Sequence, residues 1–365
     1  MRPPQDTDRL AVGAMTGTSL DGIDAALVQI TGAGPSLTAS VLNHASGPFG
    51  PARDTLAALC RGEPATAADI AAARRELADQ TAAVMRRAAD GASLQFAAVH
   101  GQTVYHSPPD SWQMIDAARV AHALGCPTAF DLRGGDVAAG GQGAPVTPLA
   151  DLVLFGGGPP RAVVNLGGFC NITWLPGDGD VRGRDICPCN HLLDAAARMR
   201  LGRPYDEDGR IAGSGQVDDT LLATLTQTLH TQFHGGERSL GTGDECVQWI
   251  EHHASTDTPT LLATLAAAIG TFIGTASRHA NPHELLIAGG GAHHQPLLAA
   301  ITSAADRPTM LTAARGVPIE AREAACVAVL AAIDGGGEPT TLPEVTGRRP
   351  GPCTSMSWCR PLPDS

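Results

Sequence analysis

Three times along the chain an apolar run ends in a short glycine turn and a new element begins at once. Residues 10–15 lead into Thr16-Gly17-Thr18-Ser19-Leu20-Asp21-Gly22 and out through residues 23–30. Residues 161–166 lead into Gly167-Gly168 and out through 169–175; residues 285–288 lead into Gly289-Gly290-Gly291, before a helical pattern from Gln295. Short apolar runs bounded by glycine read as strands, so the first two units are hairpins and the third is a strand-to-helix junction. Glycine at such places lets backbone approach a ligand closely or take a positive φ. This repeated unit points to an α/β fold, and 365 residues suffice for two domains built on it.

The rest of the chain fills in that frame. Thr66 and Asp69 form a capping box for a helix carrying Ile70, Leu77 and Val84. A buried strand over 94–99 ends in His100-Gly101-Gln102-Thr103, and a second glycine patch runs from Asp131 to Pro145. Residues 185–190 read as a polar turn, with Asn190 capping the helix that bears Leu192, Leu193, Ala196 and Met199. Further helices are expected over 217–229, over 261–276 behind Pro259, and over about 319–333. The tail from Gly335 reads as loose, with 342–347 packing on the body.

Composition removes several function classes. The net charge of −12 opposes nucleic-acid binding, which needs a basic face. All 25 cationic side chains are Arg. Without lysine there is no Schiff base, no intact Walker A loop and no kinase Lys–Glu pair, so phosphate chemistry would rest on backbone amides, Arg and a metal ion. No run approaches the ~18 apolar residues of a membrane helix, and residues 1–6 lack a signal-peptide core, so the expectation is a cytoplasmic protein without a membrane partner. Nine scattered cysteines favour reduced thiols, and the Cys187-Pro188-Cys189 pair has no ligand partners at metal-site spacing.

Two glycine hairpins and a glycine-rich strand–helix junction are the parts of the ATPase fold shared by actin, hexokinase and sugar kinases. In that arrangement each of two lobes donates a hairpin whose amides meet the β- and γ-phosphates, and the third turn takes the nucleoside. Mg²⁺ would take oxygen ligands such as Asp21, Asp24 or Asp185. Each part also has a plainer reading: an ordinary hairpin loop, a capping carboxylate at Asp185, a satisfied buried histidine at His100. Tyr105, Trp112 and Trp174 read either as sugar-stacking or as core and rim residues.

The motifs taken together are more specific. Residues 15–24, the run from His100 to His106, Asp131-Leu132-Arg133 with 136–145, Asn165 to Gly168 with 171–173, 204–206, 289–292, Glu323-Ala324 and 343–347 resemble the anhydro-N-acetylmuramic acid kinases in order and spacing. The resemblance implies a two-lobed actin/hexokinase-like fold with a central ATP and sugar cleft. It also implies an ATP- and Mg²⁺-dependent kinase of peptidoglycan recycling that phosphorylates O6 of a 1,6-anhydro sugar while water opens the ring. By the same resemblance Asp185 is the base, and Arg133 and Glu323 hold the sugar and assist at the reacting centre. Gly17, Thr18, Ser19, Leu20, Asp21, Gly22 and Asp24 form the first ATP loop; Asn165, Gly167, Gly168, Gly289, Gly290 and Gly291 bind the rest of the nucleotide. His100, Gln102, Thr103, Arg133 and Asn190 line the sugar, and Asp21 and Asp185 hold the metal. The expected lobes are 1–131 with 338–365, and 132–337, and a homodimer is expected.

The chain departs from the family pattern in places. Ile186-Cys187-Pro188-Cys189 stands where Thr-Gly-Pro-Gly is usual; a Cβ forced into a left-handed conformation would cost about 1–2 kcal/mol. Asp244 replaces a cation, His294 an Asn, and Arg322 a Met. These changes keep open a different anhydro-sugar substrate, or a nucleotide-binding pseudokinase.

Overall fold

The structure, a computed structural model, describes residues 8–17, 20, 22–177, 180–233, 239–241, 243–351 and 356–361. Thr18, Ser19 and Asp21, expected in the first ATP loop, lie outside the described residues. The chain forms two compact units, Met1–Gly156 with Arg315–Ser365, and Gly157–Ala314.

The first unit contains β1 (Arg9–Thr16), β2 (Ile23–Thr31), β3 (Thr38–Gly47), α1 (Ala52–Cys60), α2 (Ala67–Ala89), β4 (Phe96–Val99), β5 (Gln102–Ser107), β6 (Asp110–Met114), α3 (Ala117–Leu124), β7 (Thr128–Phe130), α4 (Gly134–Ala138) and α5 (Pro148–Phe155). The second contains β8 (Arg161–Leu166), β9 (Phe169–Leu175), β10 (Arg182–Pro188), α6 (Asn190–Leu201), α7 (Arg210–Ser214), α8 (Asp219–Phe233), α9 (Val247–His252), α10 (Thr258–Ser277), β11 (Glu284–Ala288), α11 (Gln295–Ala305) and β12 (Thr309–Leu311). The chain then returns to the first unit with α12 (Arg322–Gly336), α13 (Pro343–Thr346) and β13 (Ser357–Cys359).

The two sheets share one design. In the first, β3-β2-β1 is an antiparallel meander, and β4 and β7 follow parallel to β1; β13 closes the edge antiparallel to β7. In the second, β10-β9-β8 is the meander, and β11 and β12 follow parallel to β8. Both glycine hairpins therefore join the first two strands of a sheet of the same order.

Alternation along β1 sorts the core of the first unit. Ala11 faces α12 and α5, while Val12 and Ala14 face Leu56, Leu77 and Val120 of α1, α2 and α3. Gly13 is obligatory for this packing: a Cβ there would stand 2.0 Å from the Ala324 carbonyl oxygen. The capping box of α2 is present, with the Asp69 amide donating to Thr66 Oγ1 at 3.2 Å.

Several expectations need correction. The boundaries fall at 156/157 and 314/315, because α5 and α12 bury their apolar faces on the first sheet and so belong with it. Strand β3 and the β5–β6 hairpin were not foreseen, since their alternating exposure leaves no continuous apolar run. The tail is ordered where it meets the body: β13 pairs with β7, and Trp358 Nε1 donates to Asp334 at 2.7 Å. Helix α10, at 20 residues, does reach membrane-spanning length and apolarity, but it is mostly buried within the second unit, where α11 backs onto it at Gly270 and Gly274.

Candidate active site

In open α/β sheets ligands gather at the carboxyl ends of the parallel strands. In the first unit these ends are Thr16 on β1, His100 after β4 and the Asp131–Arg133 segment after β7. Asp131 takes a positive φ of 57° and its Oδ1 accepts the Gly134 amide at 2.9 Å, which fixes Arg133 at the entry to α4. The Arg133 Nε then donates to His100 Nε2 at 3.1 Å, and Nη1 donates to the Gly143 carbonyl at 3.1 Å.

These partners set the state of His100. Its Nδ1 lies 2.8 Å from the Gly101 carbonyl, which can only accept, and its Nε2 faces an Arg N–H, which can only donate. The ring is therefore neutral with the proton on Nδ1. Burial, then the Arg133 charge, depresses its pKa to about 3. His106, whose Nδ1 is 2.8 Å from Ser111 Oγ, is lowered to about 4 by the same two causes in the same order. Both imidazoles stay uncharged near neutrality, and Arg133 carries the positive charge of this edge.

Beside them, Gln102 is fully buried; its Nε2 donates to the Thr103 carbonyl at 3.2 Å, while its Oε1 has no partner among the described residues. The same holds for the hydroxyl of Thr16, which is 4% exposed. Buried polar atoms without a partner among the described residues require one, and a ligand or ordered water at this edge would supply it. Thr103 Oγ1 accepts from Gln113 at 3.5 Å. Glu323 sits in the first turn of α12, whose amide dipoles favour a carboxylate, one residue from the close contact with Gly13. Leu20 takes a positive φ of 55° while its side chain enters the core, and the Asp24 carboxylate accepts from Ser46 Oγ at 2.5 Å. Tyr105 and Trp112 face each other on β5 and β6 and are exposed, whereas Trp174 is a core residue bonded to the Ser277 carbonyl at 3.1 Å.

The second unit builds its own edge. The Gly167 and Gly168 carbonyls accept the amides of Asn190, Cys189 and His191, so the β8–β9 turn seats the start of α6. A Cβ at Gly168 would strike the His191 ring at 2.3 Å, and one at Gly289 would lie 2.8 Å from the Leu166 carbonyl. Asn190 is the first residue of α6 rather than its cap; its Nδ2 donates to the Leu166 carbonyl at 3.0 Å, and Gly291 packs on its Oδ1. It works as a strut that holds Asn165, Gly167, Gly289, Gly290 and Gly291 in one surface.

Asp185 lies on a strand, not in a turn: β10 pairs it with Asn171, just before a register shift. Because β10 runs parallel to β8, Asp185 stands toward the same carboxyl edge. Its Oδ2 accepts the Leu240 amide at 2.8 Å, which orients the carboxylate. The cysteines of the altered motif turn inward. Cys187 and Cys189 are fully buried with no positive φ at 186–189, so the expected left-handed strain is absent. Burial first, then the neighbouring Cys189 and Cys246 thiols, pushes Cys187 well above the usual thiol range; burial and then Asp194 push Cys189 up to about 12. His294 keeps the capping function of an Asn: its Nδ1 accepts the Leu297 amide at 3.3 Å at the start of α11. Asp244 accepts the Gly241 amide at 3.0 Å within its own loop.

A family profile described as anhydro-N-acetylmuramic acid kinase matches residues 9–354. The chain belongs to the anhydro-N-acetylmuramic acid kinase family. Membership makes it a carbohydrate kinase, and the doubled α/β sheets are the architecture expected of an actin- and hexokinase-like ATPase. Among curated relatives, the anhydro-N-acetylmuramic acid kinase of Bordetella pertussis is 37% identical over 357 residues, covering 93% of each chain. That of Salinibacter ruber is 35% identical over 373 residues, again covering 93% of each. Among solved structures, a ROK family glucokinase from Streptomyces griseus in complex with glucose and AMPPNP is similar over 89% of this chain and 98% of its own, at 14% identity and a TM-score of 0.41. Thr16, His106, Asp136 and Gly143 fall inside the motif runs read in the sequence, but no site role was assigned to them there. Asp136 and Gly143 lay in view inside the second glycine patch; only their packing gives them partners.

Proposed function

We propose that the protein transfers the γ-phosphoryl group of ATP to O6 of 1,6-anhydro-N-acetylmuramic acid while water opens the anhydro ring, a step of peptidoglycan recycling. Water adds to C1, the C1–O6 bond breaks, and O6 takes the phosphoryl group as ADP leaves. The proton of the water goes to the Asp185 carboxylate, held in one orientation by the Leu240 amide. Arg133, fixed by neutral His100 and the Gly143 carbonyl, holds sugar oxygens. Phosphoryl transfer needs positioning and charge stabilisation more than covalent help, which suits a chain of glycine turns and Arg.

Mg²⁺ fits the donor chemistry: Asp185 offers hard carboxylate oxygen, and a magnesium site takes one or two carboxylates with phosphate oxygens and water. Bound there, the ion would neutralise charge on the phosphates. Asp21 is the second proposed ligand. A cytoplasmic location and a homodimer belong to the same reading, on the family resemblance.

The observation that carries the proposal is that the motif residues retained from the family, Asp185 and the His100–Arg133 pair, stand at the carboxyl edges of the parallel strands. The altered residues Cys187 and Cys189 point into the core, which favours the family substrate over a switched one. ADP release followed with a panel of 1,6-anhydro sugars tests this. Release with anhydro-N-acetylmuramic acid is expected; release only with another sugar would change the substrate, and ATP binding without release with any sugar would leave a pseudokinase.

A further inference from the structure

The glycine patch that carries Gly143 is tied to the C-terminal segment through one buried carboxylate. Asp136 is fully buried. Its Oδ1 accepts the hydroxyls of Thr341 at 2.6 Å and Thr346 at 2.7 Å, and its Oδ2 accepts the Gly143 amide at 2.8 Å. Arg348 lies 3.7 Å away and itself donates to Thr341 Oγ1 at 2.9 Å and to the Thr341 carbonyl at 2.8 Å. The backbone closes the same joint from both sides: the Gln142 amide donates to the Thr346 carbonyl at 2.8 Å, and the Arg349 amide to that of Ala139 at 3.1 Å. The joint leaves no slack, since a Cβ at Gly141 would stand 2.1 Å from Asp136 Oδ2.

We infer that residues 341–349 act as a strap that positions Arg133 for sugar binding, with Asp136 as its anchor and the Gly143 carbonyl as the point of transmission. Asp136 and the threonines touch no reacting atom; they are positioning residues. A buried carboxylate is costly unless its oxygens are satisfied, so the strap and the loop hold their arrangement together. Removing one threonine hydroxyl loosens the Gly143 backbone, and the Arg133 Nη1 loses a fixed acceptor while its Nε contact with His100 remains. The inference rests on the reading of Arg133 as a sugar-holding residue.

The test is calorimetric binding of 1,6-anhydro-N-acetylmuramic acid, and separately of an ATP analogue, to full-length variants. Thr346→Val is expected to weaken sugar binding about tenfold, leaving the nucleotide Kd within about twofold, and Thr346→Ser, which keeps the hydroxyl, to restore it. In an Arg133→Ala background, Thr346→Val should change sugar affinity no further, because its effect passes through Arg133. Equal weakening in both backgrounds, parallel loss of nucleotide binding, or unchanged sugar affinity in Thr346→Val would overturn the strap. Wild-type protein that binds no anhydro sugar would instead overturn the proposed function.

Discussion

His100 shows how one side chain's surroundings fix both its role and a stability cost. Folded, its pKa is about 3; unfolded, it returns to about 6.5. Below pH 6.5 the unfolded chain takes a proton that the folded chain refuses. Stability is thus full above that value and falls by up to about 1.4 kcal/mol per pH unit as pH drops toward 3. Urea midpoints measured from pH 7.5 to 4.5 should show this decline, and His100→Gln should make it shallower while leaving the share that His106, lowered to about 4, contributes. At Asp185, Asn substitution removes the proposed proton acceptor but keeps a hydrogen-bonding oxygen; turnover should fall by about 10²–10⁴ with ATP affinity retained. A near-normal rate would move the base elsewhere. Thr16→Val removes a buried hydroxyl that has no partner among the described residues. The variant should be at least as stable as the wild type in urea, yet show a raised KM for sugar.

Among the elements, α12 carries the most consequences. Its first residue, Arg322, is fully buried and makes a bidentate pair with the fully buried Asp151 of α5; it also donates to Thr147 Oγ1 at 3.1 Å. The pair locks α5 to the turn that presents Glu323. Replacing Arg322 alone by Met takes the cation away from a buried carboxylate, and denaturant unfolding should report a loss of about 3–5 kcal/mol. Adding Asp151→Leu should recover most of it, since two apolar groups need no partner. An Arg322→Met variant as stable as wild type would mean that Asp151 finds another partner. Arg322 thus comes with its own counter-charge, a pairing that sequence spacing of 171 residues could not suggest.

At the scale of the molecule, the second unit is a continuous insertion between Gly156 and Arg315 with its own five-stranded sheet. Residues 157–314 expressed alone should therefore unfold cooperatively in urea; a gradual, non-cooperative transition would show that the sheet depends on the first unit. Much of this design was readable in the sequence, where the β1–β2 and β8–β9 hairpins, β11 and its glycine turn stand out as apolar runs between glycines. The unit boundaries were not, because the helices that decide them, α5 and α12, are largely apolar and their sequences do not say which sheet they cover. Residues 185–190 were read as a turn because Pro188 and two cysteines mask a strand that only pairing with β9 reveals.

Local chemistry, written residue by residue, determined the strands, the glycine turns, the capping box of α2 and the identity of the family. It could do so because periodicity, capping and close backbone approach depend on near neighbours in the chain. The neutral state of His100, the inward turn of Cys187 and Cys189, the Arg322–Asp151 lock and the strap on Asp136 were decided only by tertiary structure. Each depends on burial and on a partner far away in sequence, and neither exists until the sheets have closed over them.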